Sequence, residues 1–409
     1  MSLIPPKLRT YFPDLDGRVW ILAGGRLLSQ LGNGFTLFYA PIFFVNQVGL
    51  SATAVGLGLG SGSISGVVGR FLGGSAADDP RWGRRKILLW SAAISALADV
   101  ALATAFNLPT FILGNLLMGL GIGLYWPATE AVVADLTTDL QRNEAFALVR
   151  LADSIGLSLG IVLGGALIEL TGQYRALFVI DGFTYLVFFV IIYGAIAETL
   201  KPQTSHPQIL AGWRTALGDR FLLIYALVNI LFTLYLAQVQ SSLPLYFANF
   251  AGTNGFSTAH ISALFTGHVI LTALFQLPVA RGLNRFRRTH ALSLSALLWG
   301  VGFCLIFATG TVSSLAMIWA GAALTVLAIA TVTYLPAASA FVVEIAPESL
   351  RGVYLSVNSQ CWAIGYFLGP PIGGWALDQT PLIAHGIWLV LALSVLGVVG
   401  VLVGMGRRG

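Results

Sequence analysis

Residues 382–404 read LIAHGIWLVLALSVLGVVGVLVG and contain no Asp, Glu, Lys or Arg. A helix needs about 20 consecutive, mostly apolar residues to cross a bilayer, so this stretch predicts a transmembrane helix. None of the apolar stretches shows the alternating polarity over about 10 residues that is typical of a membrane barrel strand. The predicted spans lie near residues 19–45, 52–77, 87–106, 110–134, 145–170, 176–197, 221–247, 259–280, 291–308, 314–343, 353–377 and 382–404. The pattern therefore predicts an all-α membrane protein with twelve transmembrane helices.

The composition excludes a soluble protein of this length. Charged residues make up 10% of the 409 positions, and hydrophobic residues make up 56%. A soluble domain uses roughly a quarter of its residues as charges, so lipid must surround much of this chain. The sequence has no phosphate-binding loop, nucleotide fold, metal cluster or catalytic triad, and its two cysteines, Cys304 and Cys361, lie in predicted spans. We therefore expect no enzyme activity and no cofactor, with a proton gradient as the energy source.

Lysine and arginine lie in alternate connections between the predicted spans. They occur before span one, between spans two and three, in the central connection, after span eight and at the end of the chain, whereas the opposite connections hold only Arg175. Because cytoplasmic loops carry an excess of Lys and Arg, we predict that both termini are cytoplasmic. The net charge of +5 then reflects topology and anionic lipid headgroups, not nucleic-acid binding. The expected location is the bacterial inner (plasma) membrane.

The chain contains an internal repeat. Segments 125–171 and 334–380 align without a gap and share 13 identities in 47 positions. Parallel repeats of this kind place a substrate site between the two halves, near the membrane midplane. The predicted organisation is a cytoplasmic segment at 1–17, a six-helix bundle at 18–198, a cytoplasmic linker at 199–219 and a second six-helix bundle at 220–409.

A glycine, an acid and a basic run lie between spans two and three. Gly74 is followed by Asp78, and then by the run Arg81-Trp-Gly83-Arg84-Arg85-Lys86. This pattern resembles the signature of the major facilitator superfamily of transporters, with two additional residues between the acid and the first arginine. The resemblance covers the whole chain and implies a cytoplasmic latch that holds one access state closed. The alternative is that the basic residues only anchor the loop in the cytoplasm. The candidate latch residues are Gly74, Asp78, Arg81, Gly83, Arg84, Arg85, Asp135, Arg142, Glu344 and Arg351.

Glycines recur at four-residue spacing in spans five and eleven. Small residues at this spacing let helices approach closely, so each set is either a static packing surface or the surface on which the halves move. The first set resembles the antiporter motif of the multidrug/proton exporter branch, although Ile161 replaces its proline. Span four also lacks the arginine that is usual in that branch and has Asn115 there. The candidate ladder residues are Gly156, Gly160, Gly164, Gly365, Gly369 and Gly373.

Three ionisable residues are predicted to lie at similar depth in spans one, four and five. An ionisable group inside a span costs at least about 2.5–3.5 kcal/mol on insertion scales, so it is a functional candidate. We predict that Arg26 pairs with Glu130 or Asp153, either as a proton-coupled switch or as a permanent salt bridge. Asp99 and Asp181 lie in peripheral spans and are expected to bond to neighbouring polar groups.

The predicted cavity wall is aromatic and rich in amides. Such a surface suits an amphipathic substrate better than a multiply charged one. We therefore expect a monomeric secondary active transporter that exports amphipathic, drug-like molecules by alternating access, in exchange for protons. The alternatives are an uptake symporter or facilitator for a sugar or organic anion, and a lipid-flipping transporter. The candidate cavity residues are Gln30, Asn33, Tyr39, Tyr125, Trp126, Gln238 and Trp362.

Overall fold

The structure is a computed structural model that describes residues 15–77, 79–200, 209–252, 255–283, 286–312, 314–347 and 351–407. Within these ranges the regular structure is helical and contains no strand. The helices are α1 (Gly17–Leu37), α2 (Ala40–Asn46), α3 (Ala52–Ala77), α4 (Gly83–Ala103), α5 (Leu108–Asp135), α6 (Asp139–Thr171), α7 (Tyr174–Ala195), α8 (Ile209–Gly218), α9 (Arg220–Gln240), α10 (Ser242–Phe250), α11 (Thr258–Leu283), α12 (Arg288–Thr311), α13 (Ala316–Ile345), α14 (Arg351–Leu377) and α15 (Pro381–Gly406).

Ten of the described helices are long and apolar enough to cross a membrane, which makes the chain an integral, multi-pass membrane protein. They correspond to ten of the twelve predicted spans, all except the first and the eleventh. The seventh predicted span, 221–247, is divided at Ser241 between α9 and α10. The first predicted span is occupied by α1 and α2, which are separated at residues 38–39, and the eleventh is occupied by α14. Both regions are helical, but neither is among the ten helices that are long and apolar enough to cross a membrane.

Polar side chains begin several of the helices. The side chain of Asp16 accepts from the backbone nitrogen of Arg18, and Asn107 and Asp219 accept from the first backbone nitrogens of α5 and α9. Such caps satisfy amide groups that lack a partner inside the helix. At the other end of α6, Gly172 adopts a left-handed conformation with φ +66°, which glycine does without a steric penalty. These residues explain why the helices begin and end where they do.

The helix pairs repeat between the two halves of the chain. In the first half, α1 packs against α6, α3 against α5 and α4 against α5; in the second half, α9 packs against α14, α11 against α13 and α12 against α13. Between the halves, α3 packs against α14, and α6 packs against α11. The boundary between the halves is therefore formed by two long helices from each half, together with the short helices α2 and α10 at one end.

Side chains from the two halves bond to each other at more than one depth along this boundary. We call the end of the helix bundle that carries residues 47–51, 172–173, 251–252, 255–257 and 378–380 the sealed face, and the end that carries residues 79–82 and 136–138 the basic face. Asn46 and Asn249 bond to each other across the sealed face, 2.9 Å apart. Deeper along α3, the Arg70 guanidinium donates to the hydroxyl of Ser359, 3.2 Å away.

Candidate translocation site and gates

Arg26 and Asp153 form a buried ion pair between α1 and α6. The Arg26 Nε donates to Asp153 Oδ1 at 2.8 Å, and Nη2 donates to Oδ2, so both carboxylate oxygens are engaged. The Arg26 side chain is 3% exposed and that of Asp153 is 17% exposed. Two parallel bonds of this kind fix the orientation of both side chains. Of the two acids predicted to pair with Arg26, the structure brings Asp153 to it.

Aromatic rings cover the same guanidinium. The Arg26 guanidinium carbon lies 4.6 Å from the ring centroid of Trp126 and 5.4 Å from that of Tyr125. The predicted acid Glu130 lies on the same helix as these rings, is exposed, and is within electrostatic range of both Arg26 and Arg70. Rings that contact a cation stabilise it by about 0.5–2 kcal/mol. The site therefore contains one ion pair, two aromatic rings and one nearby exposed acid.

The second half has an uncharged network at the equivalent place. The Gly160 position abuts the carbonyl of Leu31, and the Gly369 position abuts that of Leu234. Arg26 lies five residues before Leu31, and Asn229 lies five residues before Leu234. Asn229 therefore occupies the position in α9 that Arg26 occupies in α1. Asn229 accepts from the Tyr334 hydroxyl at 2.5 Å.

The amide of Asn229 donates to Asn358 at 2.8 Å. Tyr334 is the repeat counterpart of Tyr125, and Trp362 is the counterpart of Asp153. Trp362 stacks on Tyr366, with ring centroids 5.8 Å apart. The ion pair therefore exists in one half only, and the opposite wall is aromatic and neutral.

Two predicted cavity residues are used for packing instead. Tyr39 and Gln238 are fully buried. The Tyr39 hydroxyl donates to the carbonyl of Ile161 at 2.8 Å, and the Gln238 amide donates to that of Gly369 at 2.7 Å. In this conformation both hold a helix to its neighbour, which corrects the prediction that they line an open cavity. Gln30, Asn33, Tyr125, Trp126 and Trp362 remain partly exposed.

The glycine ladders lie within each half, not between the halves. A Cβ on Gly156 would lie 3.0 Å from the Cβ of Gln30 on α1, and one on Gly164 would lie 3.1 Å from the Phe35 ring. In the second half, a Cβ on Gly369 would lie 2.7 Å from the Cβ of Ala237 on α9. Gly160, Gly365 and Gly373 make equally close approaches to α1 and α9. This placement corrects the alternative in which these six glycines form the moving surface between the halves.

The candidate latch contacts its own half of the protein. Arg84 forms an ion pair with Asp135 at the end of α5 and donates to the carbonyl of Ala131 at 3.1 Å. Arg85 donates to the carbonyl of Tyr193 at 2.6 Å. Arg81 is exposed. The described basic residues therefore join α4 to the ends of α5 and α7.

Glu198 contacts the candidate latch, and the sequence did not indicate this contact. Its carboxylate accepts from the backbone nitrogens of Arg84 and Arg85 at 3.0 and 3.2 Å, where it caps the start of α4. A Cβ on Gly83 would lie 2.6 Å from the Glu198 carboxyl carbon, and Gly83 has φ +70°. A side chain at position 83 would therefore clash with the Glu198 carboxylate. The proline and polar residues that follow Glu198 suggested only a linker.

Two of the remaining candidate latch residues lie in the described part of the structure. A Cβ added to Gly74, in α3, would lie 3.9 Å from Pro127, and Glu344 is exposed near the end of α13. Asp78 and the side chains of Arg142 and Arg351 lie outside the described part of the structure.

The sealed face has a gate contact that the sequence did not predict. Asp378, which follows α14, accepts from the backbone nitrogens of Ala52 and Thr53 at 2.7 and 2.6 Å, and from the Thr53 hydroxyl at 2.5 Å. It therefore caps the start of α3 from the opposite half of the protein. Its repeat counterpart Glu169 is exposed. No local pattern in the sequence indicates that this acid has a partner in the other half.

The helix pairing, the two halves and the charged site define a membrane transporter fold. The sequence model of the Major Facilitator Superfamily matches residues 22–260 and 248–407. The chain belongs to this family.

Its relatives include multidrug transporters. The chain is 27% identical over 384 residues to the multidrug resistance protein MdtH of Aeromonas hydrophila, covering 93% of this chain and 92% of that protein. It is 25% identical over 372 residues to the uncharacterized MFS-type transporter YqjV of Bacillus subtilis, covering 89% and 87%. The chain therefore resembles the multidrug branch of the family.

Solved structures share the fold at lower identity. The nucleoside transporter NupG superposes with a TM-score of 0.81 at 15% identity, covering 96% of this chain and 100% of that one. A D-xylose–proton symporter superposes with a TM-score of 0.71 at 18% identity, covering 92% and 96%. At these identities the likeness establishes the fold and not the substrate.

Proposed function

We propose that this chain is a proton-coupled exporter of amphipathic small molecules that works by alternating access. In this proposal twelve spans cross the bacterial inner membrane with both termini in the cytoplasm, as the distribution of Lys and Arg favours. The halves are residues 18–198 and 220–409, and the basic face is cytoplasmic. The named multidrug relatives support the export direction.

The Arg26–Asp153 pair is the observation that carries the proposal. An acid beside a guanidinium stays ionised, and the same acid takes up a proton when the guanidinium moves away. Because the pair connects α1 to α6, a change in their separation changes the proton affinity of Asp153. The neutral Asn229 network on the opposite side has no group that titrates in this way. Proton binding is thus assigned to the first half and much of the substrate wall to the second.

The aromatic lining determines the proposed substrate class. Tyr125 and Trp126 lie beside the charged pair, and Trp362 and Tyr366 stack on the other side of the boundary. Aromatic faces bind apolar bodies and cations alike, and the exposed acid Glu130 adds a negative charge beside them. An amphipathic cation fits this combination. An organic anion fits less well, because Arg26 is already engaged by Asp153.

The test is proton-driven transport by an Asp153→Asn variant in proteoliposomes. The variant should lose gradient-driven transport and keep exchange of substrate between the two sides, because the amide cannot change charge. Retained exchange also shows that the variant is folded. Glu169→Gln is the control, because it removes an exposed acid at the end of α6, away from the pair and from the aromatic lining. Full gradient-driven transport by Asp153→Asn would assign the pair a purely structural role.

A further inference from the structure

A second pair of acids lies away from the ion pair, between α4 and α7. Asp99 and Asp181 are each 1% exposed. A Cβ on Gly182 would lie 3.2 Å from the Cβ of Asp99, so the two helices touch at this level. The two carboxyl groups are within electrostatic range of each other. This is a pair of like groups enclosed by protein.

The hydrogen bonds to the two carboxyl groups are unequal. Asp181 Oδ2 accepts from the Thr36 hydroxyl of α1 at 3.2 Å. The Thr184 hydroxyl donates to the backbone carbonyl of Asp181 at 2.8 Å and lies 3.5 Å from Oδ1. Neither carboxyl oxygen of Asp99 has a hydrogen-bond partner within the described part of the chain. A buried polar atom without a partner is costly, so Asp99 is poorly placed to carry a negative charge.

The basic groups on the surrounding helices are engaged elsewhere. Arg26 on α1 is bound to Asp153, and Arg175 at the start of α7 donates to the carbonyls of Ala103 and Ala105.

The titratable side chain that faces the pair is Tyr185, which is within electrostatic range of both acids. From α5, the sulfur of Met118 lies 3.9 Å from the Tyr185 hydroxyl. Two adjacent carboxylates without a cation cannot both be ionised in such a site.

We propose that Asp99 and Asp181 form a proton-binding pair that holds one proton on Asp99 and responds to the position of α1. The Thr36 donor favours the charged carboxylate at Asp181, and the absence of donors to Asp99 among the described residues favours the neutral acid there. This inference depends on neither the substrate nor the direction of transport. It adds a protonation site to a region that the sequence analysis treated as peripheral packing.

Helix α1 contacts this pair through two residues. Gly32 abuts the Asp181 carboxyl group, with 2.6 Å between an added Cβ and the Thr184 hydroxyl oxygen. One turn further on, Thr36 donates its hydroxyl to the same acid. If α1 moves away, Asp181 loses a donor and its charged form is destabilised. A change in the position of α1 therefore favours transfer or release of the proton. Helix α1 also carries Arg26.

Infrared spectroscopy tests the proposal on the whole protein. A protonated carboxyl group gives a carbonyl stretch that an ionised carboxylate lacks, and a detergent without ester groups keeps that region clear. Protein labelled with ¹³C-aspartate should show a shifted carbonyl band at neutral pH in the wild type. This measurement needs no substitution, so it does not depend on a variant that folds. Absence of any aspartate-sensitive band overturns the proposal.

Variants then locate the proton. Asp99→Asn should remove the band, because the amide replaces the neutral acid with nearly the same shape. Glu169→Gln, which changes an exposed acid, should leave it intact. A band that persists unchanged in Asp99→Asn contradicts the assignment. Sodium is the competing occupant: stabilisation that depends on sodium, in a protein without the band, would replace a proton site with a cation site.

Discussion

Asp378 caps helix α3 from the opposite half of the protein, with its carboxylate 2.6 Å from the backbone nitrogen of Thr53. A helix N-terminus carries partial positive charge, which an acid stabilises. Here the acid and the helix belong to different halves, so the contact exists only while the halves are together at the sealed face. This one acid thereby stabilises one of the two access states.

Asp378→Asn should loosen the sealed face. The amide keeps one acceptor oxygen but loses its charge, and loss of a helix cap costs about 0.5–2 kcal/mol. Cysteines placed by Asn46→Cys and Asn249→Cys report on closure, because these side chains meet across the face. Cross-linking between them should slow in the Asp378→Asn background. Glu169→Gln is the control and should leave the rate unchanged; equal rates in both backgrounds would contradict a gate at Asp378.

Breaking the Arg26–Asp153 pair from one side should destabilise the protein. Asp153→Asn leaves a buried guanidinium without its counter-charge, which costs on the order of 3–5 kcal/mol. Replacing both partners, by Arg26→Met and Asp153→Leu together, should restore most of the thermal stability in detergent, because an apolar pair of similar volume avoids that cost. A double variant as unstable as the single one would show that the pair is not what stabilises α1 against α6.

The glycine ladder should tolerate no side chain at Gly160. A Cβ there would lie 2.9 Å from the Cα of Gly34, and overpacking of this kind costs about 1–3 kcal/mol. Gly160→Ala should therefore lower the unfolding temperature. Gly397→Ala is the matched control, because nothing lies within 4 Å of the added Cβ and alanine favours a helix by about 1 kcal/mol. Similar behaviour of the two variants would refute close packing of α6 on α1.

Within the latch, Gly83 and Gly74 should respond differently to alanine. Gly83→Ala places a Cβ against Glu198 at φ +70°, and left-handed backbone costs a residue with a side chain about 1–2 kcal/mol. Gly74→Ala meets only an ordinary contact at 3.9 Å and should be tolerated. Thermal stability and transport rate measure both. If Gly83→Ala is as stable and as active as Gly74→Ala, the Glu198 cap has no role.

Apolar length and the repeat predicted most of the helices, because a membrane span needs a continuous apolar run. The break between α1 and α2 was not predicted, because the apolar pattern continues through Phe38 and Tyr39. The two halves were predicted from the repeat alone.

The site was predicted only in part. Depth along the spans narrowed the partner of Arg26 to two acids, but only packing distinguishes them: Gly156, three residues after Asp153, lets α6 approach α1 beside Arg26. Contacts between distant segments left no local signal, which is why the Glu198 and Asp378 caps were missed. Asp99 and Asp181 were judged separately, because nothing in the sequence places α4 beside α7 at that level.

The most direct test of proton-coupled export uses a permanently charged, amphipathic quaternary ammonium dye in proteoliposomes with an imposed pH gradient. A quaternary cation cannot be trapped by protonation, so its distribution reports transport alone. Exchange for protons predicts accumulation in the acidic compartment, abolished when the gradient is collapsed. Accumulation in the alkaline compartment, or a distribution that ignores the gradient, would contradict the account.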